Sequence, residues 1–379
     1  MILATALFSS PALAAKNTGN TSQKGSLLIF PAIDQNPEDG SDTVIEISND
    51  NILPVQLECY YVNERKDRVD FGFLLTPKAT ASWDVVSGNG TINPPPFPSA
   101  GTFPTGNPNR GELVCFAVDF AVANQVAFNH LTGTATVIHL ADTDAAEAYQ
   151  AFRYNAWAFA AEGGSAPPSD YTIMGKPGNL LLTGNGAGTY DACPLYNIAS
   201  FMPGEGVSPG TGSSLGPVYT ADNDLSIVSC NQDLRQDFLL HLTKLQFTVW
   251  NSNETMYTGA YVCVDSVEKV GLSPEDAPAG FVNTSNFSFR TLRTANARLQ
   301  VQGVASTQCP GNPTAVPPIP PSENAGLLGV LTSSVELGAD IGTGESQELG
   351  STTQGAGAQS GFVMWDVVQG GPPPQHPTH

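Results

Sequence analysis

Residues 247–266 read FTVWNSNETMYTGAYVCVDS, and residues 43–64 read TVIEISNDNILPVQLECYYVNE. Laid over one another without a gap, Ser48-Asn49-Asp50 meets Ser252-Asn253-Glu254, and Cys59 meets Cys263. Each stretch is an alternation of apolar and polar residues, a polar turn, a second alternation and a cysteine. In the first, Ile45 and Ile47 alternate with Glu46 and Ser48. Further on, Val55, Leu57, Cys59 and Tyr61 share a face against Gln56, Glu58 and Tyr60. A period of two is that of a half-buried strand. Asn-Asp and Asn-Glu tolerate left-handed backbone and cap their own turns, so both centres are expected to be hairpin turns.

The correspondence runs on. FGFLLTPKATASWDVVSG (71–88) sets against FSFRTLRTANARLQVQGV (287–304), with an insertion in the second copy between the two blocks. Both copies then enter a proline-rich loop, NPPPFPSAGTFPTGNP (93–108) or PGNPTAVPPIPP (310–321). Each leaves into a strand, GELVCFAVDF (111–120) or GLLGVLTSSVEL (326–337). TGTATVIHL (132–140) and QAFRYNAWAF (150–159) add β-branched and aromatic strands. DTDAAEAYQ (142–150) alone is expected to make a short helix. About six to eight strands per copy, with turns every 8–12 residues or so, is the pattern of a β-sandwich. The expected fold is therefore all-β: two tandem, divergently duplicated, Ig-like β-sandwich domains with long Pro/Gly-rich loops, each with its own core.

The N-terminus MILATALFSSPALAAKN has a short apolar run, Ile2–Phe8, and a small-x-small site at Ala12-Leu13-Ala14. That is the end of a secretory signal peptide, although the usual basic residue before the run is missing. The expected organisation is a signal peptide at 1–15, an N-terminal arm at 16–23 and a first sandwich at 24–161. A linker follows at 162–174, then a second sandwich at 175–368, opening with a hairpin over 175–196, and a disordered Pro/His tail at 369–379. No later stretch approaches the roughly 18 apolar residues of a transmembrane helix.

Thirty-eight glycines, 30 prolines and only 13% charged residues suit short strands and many turns better than long helices. With 35 acidic residues against 15 basic, the formal charge is −20, which disfavours nucleic acid and anionic lipid as partners. ERKDR (Glu64–Arg68) alternates in sign and reads as a solvated turn. The six cysteines (59, 115, 193, 230, 263, 309) contain no C-x-x-C, so their even number in an exported chain reads as disulfides rather than zinc. Fifteen connectivities are open to six cysteines; nearest-neighbour pairing, 59–115, 193–230 and 263–309, is preferred.

Catalytic signatures do not survive inspection. Gly212-Ser213-Ser214-Leu215-Gly216 spells a nucleophile elbow, but that motif needs a strand before it and a helix after it, and here it sits in a Gly/Ser/Pro loop. GNGAG (184–188) reads as a turn. His139 and His241 lie among apolar strand residues, and His130 at a strand entrance is expected to hydrogen-bond locally. DQNPEDGSD (34–42) is out of step with a calcium loop, and DND (222–224), DTD (142–144) and CNQDLRQD (230–237) are further acidic clusters. In the last, Arg235 is expected to bridge to Asp233 or Asp237. Structural calcium is the one cofactor these clusters leave open, and no catalytic, cofactor or metal residue is assigned. Of the four tryptophans (83, 157, 250, 365), Trp83 and Trp250 fall in strand alternation and are expected in the core rather than on a sugar platform. Five N-x-S/T sequons begin at Asn20, Asn89, Asn253, Asn283 and Asn286.

Taken together, KGSLLIFP (24–31), FNHLTGTATV (128–137), YNAWAF (154–159), YDACP (190–194), CNQDLRQD, NETMYTGAYVC (253–263) and FRTLRTANARLQVQGVAS (289–306) resemble an uncharacterised family of exported bacterial proteins. The resemblance implies export and a shared fold and transfers no catalytic residue. The chain departs from it at CVDSVEK (263–269), where the family leads one to expect a second nearby cysteine. The function expected is that of a secreted or cell-surface, non-enzymatic structural or adhesion protein. The alternative is a carbohydrate-binding protein using exposed aromatics, with or without calcium, and the third is a hydrolase whose carboxylates converge between the domains. The partners left open are the chain itself, other surface proteins and polysaccharide.

Overall fold

A computed structural model describes residues 17–36, 40–99, 106–141, 148–163, 167–184, 186–203, 219–230, 242–265, 267–274, 277–278, 280–304, 309, 326–337, 342–348, 350–351 and 362–366. The signal peptide and the Pro/His tail lie outside them. The first half contributes β1 (Leu27–Asp34), β2 (Asp42–Asn49), β3 (Val55–Asn63), β4 (Arg68–Leu75), β5 (Thr80–Asp84), β6 (Arg110–Val118), β7 (Gln125–Val126), β8 (Leu131–Ala141), β9 (Ala148–Asn155) and β10 (Trp157–Phe159). Three short strands follow, β11 (Ala161–Glu162), β12 (Ile173–Gly175) and β13 (Thr189–Tyr190). The second half holds β14 (Tyr196–Phe201), β15 (Tyr219–Ser229), β16 (Leu242–Trp250), β17 (Met256–Asp265), β18 (Val267–Gly271), β19 (Ala297–Val304), β20 (Leu327–Leu337), β21 (Gly342–Glu348), β22 (Gly350–Ser351) and β23 (Phe362–Asp366). Among the described residues, helix is confined to one turn each at Thr284–Phe287 and Phe289–Leu292, and no helix is long and apolar enough to cross a membrane. Ala148–Gln150, in the stretch expected as a helix, belongs to β9; 142–147 lies outside the described residues.

All strand pairs are antiparallel, and four sheets carry the fold. In the first half they run β5-β2-β8-β9 and β10-β1-β6-β3-β4; in the second, β18-β15-β20-β21-β23 and β17-β16-β19-β14-β22. The order of partners recurs between halves. The run β14-β19-β16-β17 stands as β1-β6-β3-β4 does, β18-β15-β20-β21 as β5-β2-β8-β9, and β22 lies on β14 as β10 lies on β1.

This recurrence is one strand out of step with the sequence correspondence. The sequence lays β2 on β16 and β3 on β17, whereas the pairing sets β2 with β15 and β3 with β16. The turns show why. Asn251 accepts the backbone N–H groups of Asn253 (3.0 Å) and Thr255 (2.9 Å), and Trp250 pairs with Met256, so this turn is a hairpin. Asn49 is buried and donates to the carbonyls of Leu53 (2.8 Å) and Thr76 (3.2 Å), and residues 50–54 cross from one sheet to the next. The expectation of a hairpin at Asn49-Asp50 is thus corrected: the same polar letters cap an arch, because β3 finds its partners β4 and β6 in the neighbouring sheet.

The β1 sheet lies between the β2 sheet and the second half, and β9 at the edge of the β2 sheet also runs beside β21 and β23. Leu28, Phe30, Leu57, Cys59, Tyr61, Leu113 and Cys115 face the β2 sheet, meeting Ile45, Ile47, Ala81, Trp83 and Ala135. On the other side of the same sheet, Leu27, Ile29, Tyr60, Val62, Val114 and Phe116 join one continuous core with Leu225, Ile227, Leu328 and Leu331, and on to Leu245, Phe247, Val249, Leu299 and Val301. The separate core expected for each half is therefore not found. β1 is buried at all eight positions, and Tyr60 is buried where alternation placed it outside, since the second half covers that face. Trp157 completes the junction, donating from Nε1 to the carbonyl of Gly329 at 3.2 Å. Each β1-type sheet meets a β2-type sheet, a head-to-tail arrangement that in principle continues indefinitely. The two outward faces are polar: Glu46, Thr134 and Arg153 bond to one another on one, while Lys244 lies over the Tyr261 ring on the other.

The segment expected as a linker is stitched to the first half. β11 pairs with β13 and β12 with β7, so the stretch expected to open the second half with a hairpin is bonded to the first half as far as Ala192, and only from Cys193 does the chain join the second. At that junction Asp191, 1% exposed, accepts from Gln23 Nε2 (2.6 Å) and Ala160 N (2.8 Å), and its carboxyl lies beside that of Glu162. Asn17 Nδ2 donates to Glu162 at 2.7 Å, so the N-terminal arm is part of the same knot. ERKDR is likewise not a solvated turn: Glu64 and Lys66 are buried, and Glu64 Oε1 accepts the backbone N–H of Lys269 at 3.3 Å from the second half. Disulfides link Cys59–Cys115, Cys193–Cys230 and Cys263–Cys309, the nearest-neighbour pattern, with Cys59 directly opposite Cys115 in the β3–β6 ladder.

Candidate binding surface at one loop end

Where β2 arches to β3, the chain places two apolar residues in an otherwise polar turn, NDNILP (49–54). Ile52 is 76% exposed and Leu53 38%. The β6–β7 connection adds Phe120 (60%) and Val122 (40%), and β12 adds Ile173 (63%). Scattered exposed apolar residues are ordinary, but several brought together on three connected loops are not.

The loops are tied to one another. Asp170 is the centre: its Oδ2 accepts from Asn51 Nδ2 at 3.0 Å, and its Oδ1 lies 3.0 Å from His130 Nε2. Tyr171, next along, donates its hydroxyl to the carbonyl of Pro54 and its N–H to the carbonyl of Ala127 at 2.8 Å. Its ring sits 6.0 Å from Phe120 and 5.7 Å from the fully buried Phe128. Below the arch, Lys24 pairs with the Asp50 carboxylate, and Lys78 donates to the Asp50 carbonyl. Lys24, with His130 and Lys78, holds the Asp50 carboxyl below its ordinary range, so it stays ionised. In the β6–β7 turn, Asp119 accepts from Ala123 N (2.8 Å) and Asn124 Nδ2 (2.7 Å), which lowers its carboxyl as well.

Backbone strain marks the same loops. Val122 has φ 53° and Tyr171 φ 62°, left-handed values that a β-branched or bulky side chain rarely adopts. Such conformations persist only where the surroundings over-determine them. Val122 N–H donates to the Asp119 carbonyl at 2.9 Å, which locks the turn with its apolar side chain outward.

His130 lies between two carboxylates, Nε2 hydrogen-bonded to Asp170 at 3.0 Å and Nδ1 3.5 Å from Asp50. The sequence placed His130 at a strand entrance with a hydrogen-bonding role, which it has, though its partner is 40 residues away. His139 is half-buried, with Nδ1 2.9 Å from Ser41 Oγ. Trp83 is buried and donates to the Tyr61 hydroxyl at 2.6 Å; Trp157 is buried and Trp250 is half-buried beside Arg298. The expectation of Trp250 in the core is corrected: it falls on the outward face of β16 with Lys244 and Gln246, opposite the buried Leu245, Phe247 and Val249. Ser213, Ser214, His241, Asp233, Arg235 and Asp237 lie outside the described residues. Among the described residues no group of three or more His, Cys, Asp or Glu is placed to hold a metal ion; Asp224 of the DND cluster pairs with Lys269 and Asn223 is buried against Ser333. Ile52, Phe120, Val122 and Ile173 were not singled out from sequence. The available signal was apolar residues inside turns, in NDNILP and DFAVANQ.

No protein-family model matches the chain, and no curated protein matches it. Among solved structures, the crystal structure of the PBSX exported protein XepA is similar over 85% of each chain, at 9% identity and a TM-score of 0.17. A likeness that low carries neither fold nor function to this chain.

Proposed function

We propose that the chain is an exported, non-enzymatic adhesion module of the cell surface or extracellular space, which holds a protein partner through its loop end. The observation that carries this reading is the exposed apolar group Ile52, Phe120, Val122 and Ile173 on loops fixed by Asp170, Tyr171 and His130. Rigid loops lose little entropy on binding, and aliphatic tips suit apolar pockets on proteins. Sugars stack on flat rings, and here Phe120 is the one aromatic among the tips. An anionic lipid surface is opposed by the net charge of −20. Three disulfides fit an oxidising compartment. We read the recurring strand order as descent from one duplicated, Ig-like sandwich unit.

The test is binding of the purified protein to the surface of producing cells, before and after proteolytic shaving of those cells. The triple variant Ile52→Ser, Phe120→Ser, Ile173→Ser is compared with wild type by unfolding temperature and by binding. Wild-type binding that is lost on shaving, and lost in a variant of unchanged stability, is expected. Equal binding by the variant, or binding untouched by shaving, overturns the reading.

A further inference from the structure

The edge of a β-sheet carries backbone N–H and C=O groups with no strand to pair with, and folded chains close such edges with their own segments, charges or bulges. Four edge strands of this protein are closed by other parts of the chain. Asn20 exchanges both backbone bonds with Ala158 of β10, at 3.1 and 2.9 Å. The Thr91 N–H donates to the Ser82 carbonyl of β5 at 2.7 Å, and the Thr91 hydroxyl accepts the Ser82 N–H at 2.8 Å. On β18, Glu64 accepts the Lys269 N–H. On β17, Val282 exchanges both bonds with Tyr261, while Asn283 and Asn286 donate their side-chain amides to the carbonyls of Gly259 (2.8 Å) and Thr258 (3.2 Å).

β4 is left open. It ends the β10-β1-β6-β3-β4 sheet as β17 ends its own, yet among the described residues the backbone of Val69–Leu75 makes no hydrogen bond beyond its ladder with β3. The usual blunting devices are missing as well. The strand holds no proline, and its register is unbroken from Arg68 opposite Val62 to Leu75 opposite Val55, so no bulge turns it away. Its charged pair, Arg68 and Asp70 at 2.6 Å, stands at one end and leaves Phe71–Leu75 uncharged. Midway stands Gly72. A Cβ there would crowd the Leu57 carbonyl at 2.9 Å and would stand 3.4 Å from Gln56 Nε2 and 3.6 Å from Glu58 Oε2. These two β3 side chains therefore lean over the bare glycine toward the rim, where another backbone can come close.

The two faces of this rim select the occupant. Toward the β2 sheet, Phe71 and Phe73 are half-buried, 6.4 Å apart and edge-on to Trp83 at 6.0 and 5.8 Å, so an added strand would lay apolar side chains against them. On the other face Glu58 and Asp70 share the neighbourhood of Arg68. Burial pushes both carboxyls up, and the charge of Asp70 pushes Glu58 further, with Arg68 opposing. Two carboxyls beside one guanidinium are complemented by a lysine or arginine reaching across Gly72. A second copy of β4 would bring the same carboxyls and another net charge of −20, which opposes self-pairing. We propose that the outer edge of β4 takes up an extended segment of another protein as an added strand, with basic side chains toward Glu58 and Asp70 and apolar ones against Phe71 and Phe73. Main-chain bonds supply the affinity of such pairing, and the alternate side chains its selectivity. None of Ile52, Phe120, Val122 and Ile173 takes part, so this contact does not rest on the loop-end reading.

The experiment presents the purified full-length protein with a peptide of alternating lysine and valine. Two counterparts are compared with it, one with glutamate in place of lysine and one with proline in place of the central valines. Anisotropy of the labelled peptides gives the affinity, and amide hydrogen exchange gives the place. The lysine peptide is expected to bind tenfold or more tightly than either counterpart, and to slow exchange at those amides of Val69–Leu75 that β3 leaves unpaired. The double variant Glu58→Gln, Asp70→Asn, at unchanged unfolding temperature, should lose the preference for lysine over glutamate. The loop-end triple variant should bind the peptide as wild type does, so failure here and failure of the adhesion reading are told apart. No binding, equal binding of the proline peptide, binding without protection of β4, or an unaltered preference in the double variant overturns the proposal. So does a dimer of the free protein in which β4 is already protected, since the occupant would then be a second copy.

Discussion

Replacing Asp191 by Asn should remove a pH dependence of stability and leave the fold intact. Asp191 is 1% exposed and faces the Glu162 carboxyl, and together burial and that neighbour push its carboxyl up to about 7. The folded state therefore keeps a proton that the unfolded chain gives up near pH 4, so stability falls as pH rises from about 4 to about 7 and is flat above. A gap of about three pH units, at about 1.4 kcal/mol each, sets a ceiling of about 4 kcal/mol. Relaxation and water entry keep the penalty below that ceiling, and about half of it is the expected loss. Asparagine has the shape of the protonated acid, and its Oδ1 can still accept from Gln23 and Ala160. Asp191→Asn should therefore match wild type at pH 4.5 and exceed it by about 2 kcal/mol at pH 8. Urea midpoints at four pH values between these limits measure the difference directly. Parallel profiles for the two proteins would show that the buried Asp191 carboxyl carries no such titration, and the reasoning would fail.

Other outcomes follow from single contacts. Trp157→Phe leaves the buried Gly329 carbonyl without its donor at the junction of the halves and should cost about 1–3 kcal/mol in urea unfolding. Gly111→Ala places a Cβ 2.1 Å from the backbone oxygen of Val62, which cannot step aside; a loss of about 3 kcal/mol or failure to fold is expected, visible in the thermal midpoint. The double change Cys193→Ser, Cys230→Ser opens a link spanning 37 residues, for which chain entropy gives about 4 kcal/mol, read as a lower unfolding midpoint that reductant no longer shifts at this bond.

Much of the strand content was legible because alternation survives wherever one face is wet: β2 and β16 follow it at every position. The disulfide pairs were legible for a related reason, since close cysteines in short-turn β structure have few other partners within reach. What failed was register between the halves. Consecutive antiparallel strands look alike in sequence, and Asn49 and Asn251 make the same local bonds while one turn is an arch and the other a hairpin. Glu64 and Tyr60 misled because their burial comes from residues some 200 positions away, such as Lys269. The loop end had no period to read; turn residues become a surface only when Asp170 and Tyr171 gather three loops.

The doubly covered β1 sheet bears on how the chain is made. A first half emerging alone carries Leu27, Ile29, Val62, Val114 and Phe116 on a face with nothing to cover it. At about 1.5–3 kcal/mol for each buried side chain, that face leaves on the order of 10 kcal/mol unclaimed until the second half arrives. The amino-terminal sandwich is thus a sticky intermediate during synthesis, the kind of species that chaperones hold. Expressed by itself it should aggregate, and the two halves supplied as separate chains should rescue each other. The polypeptide is one unit of manufacture, committed only when its last sheets are in place.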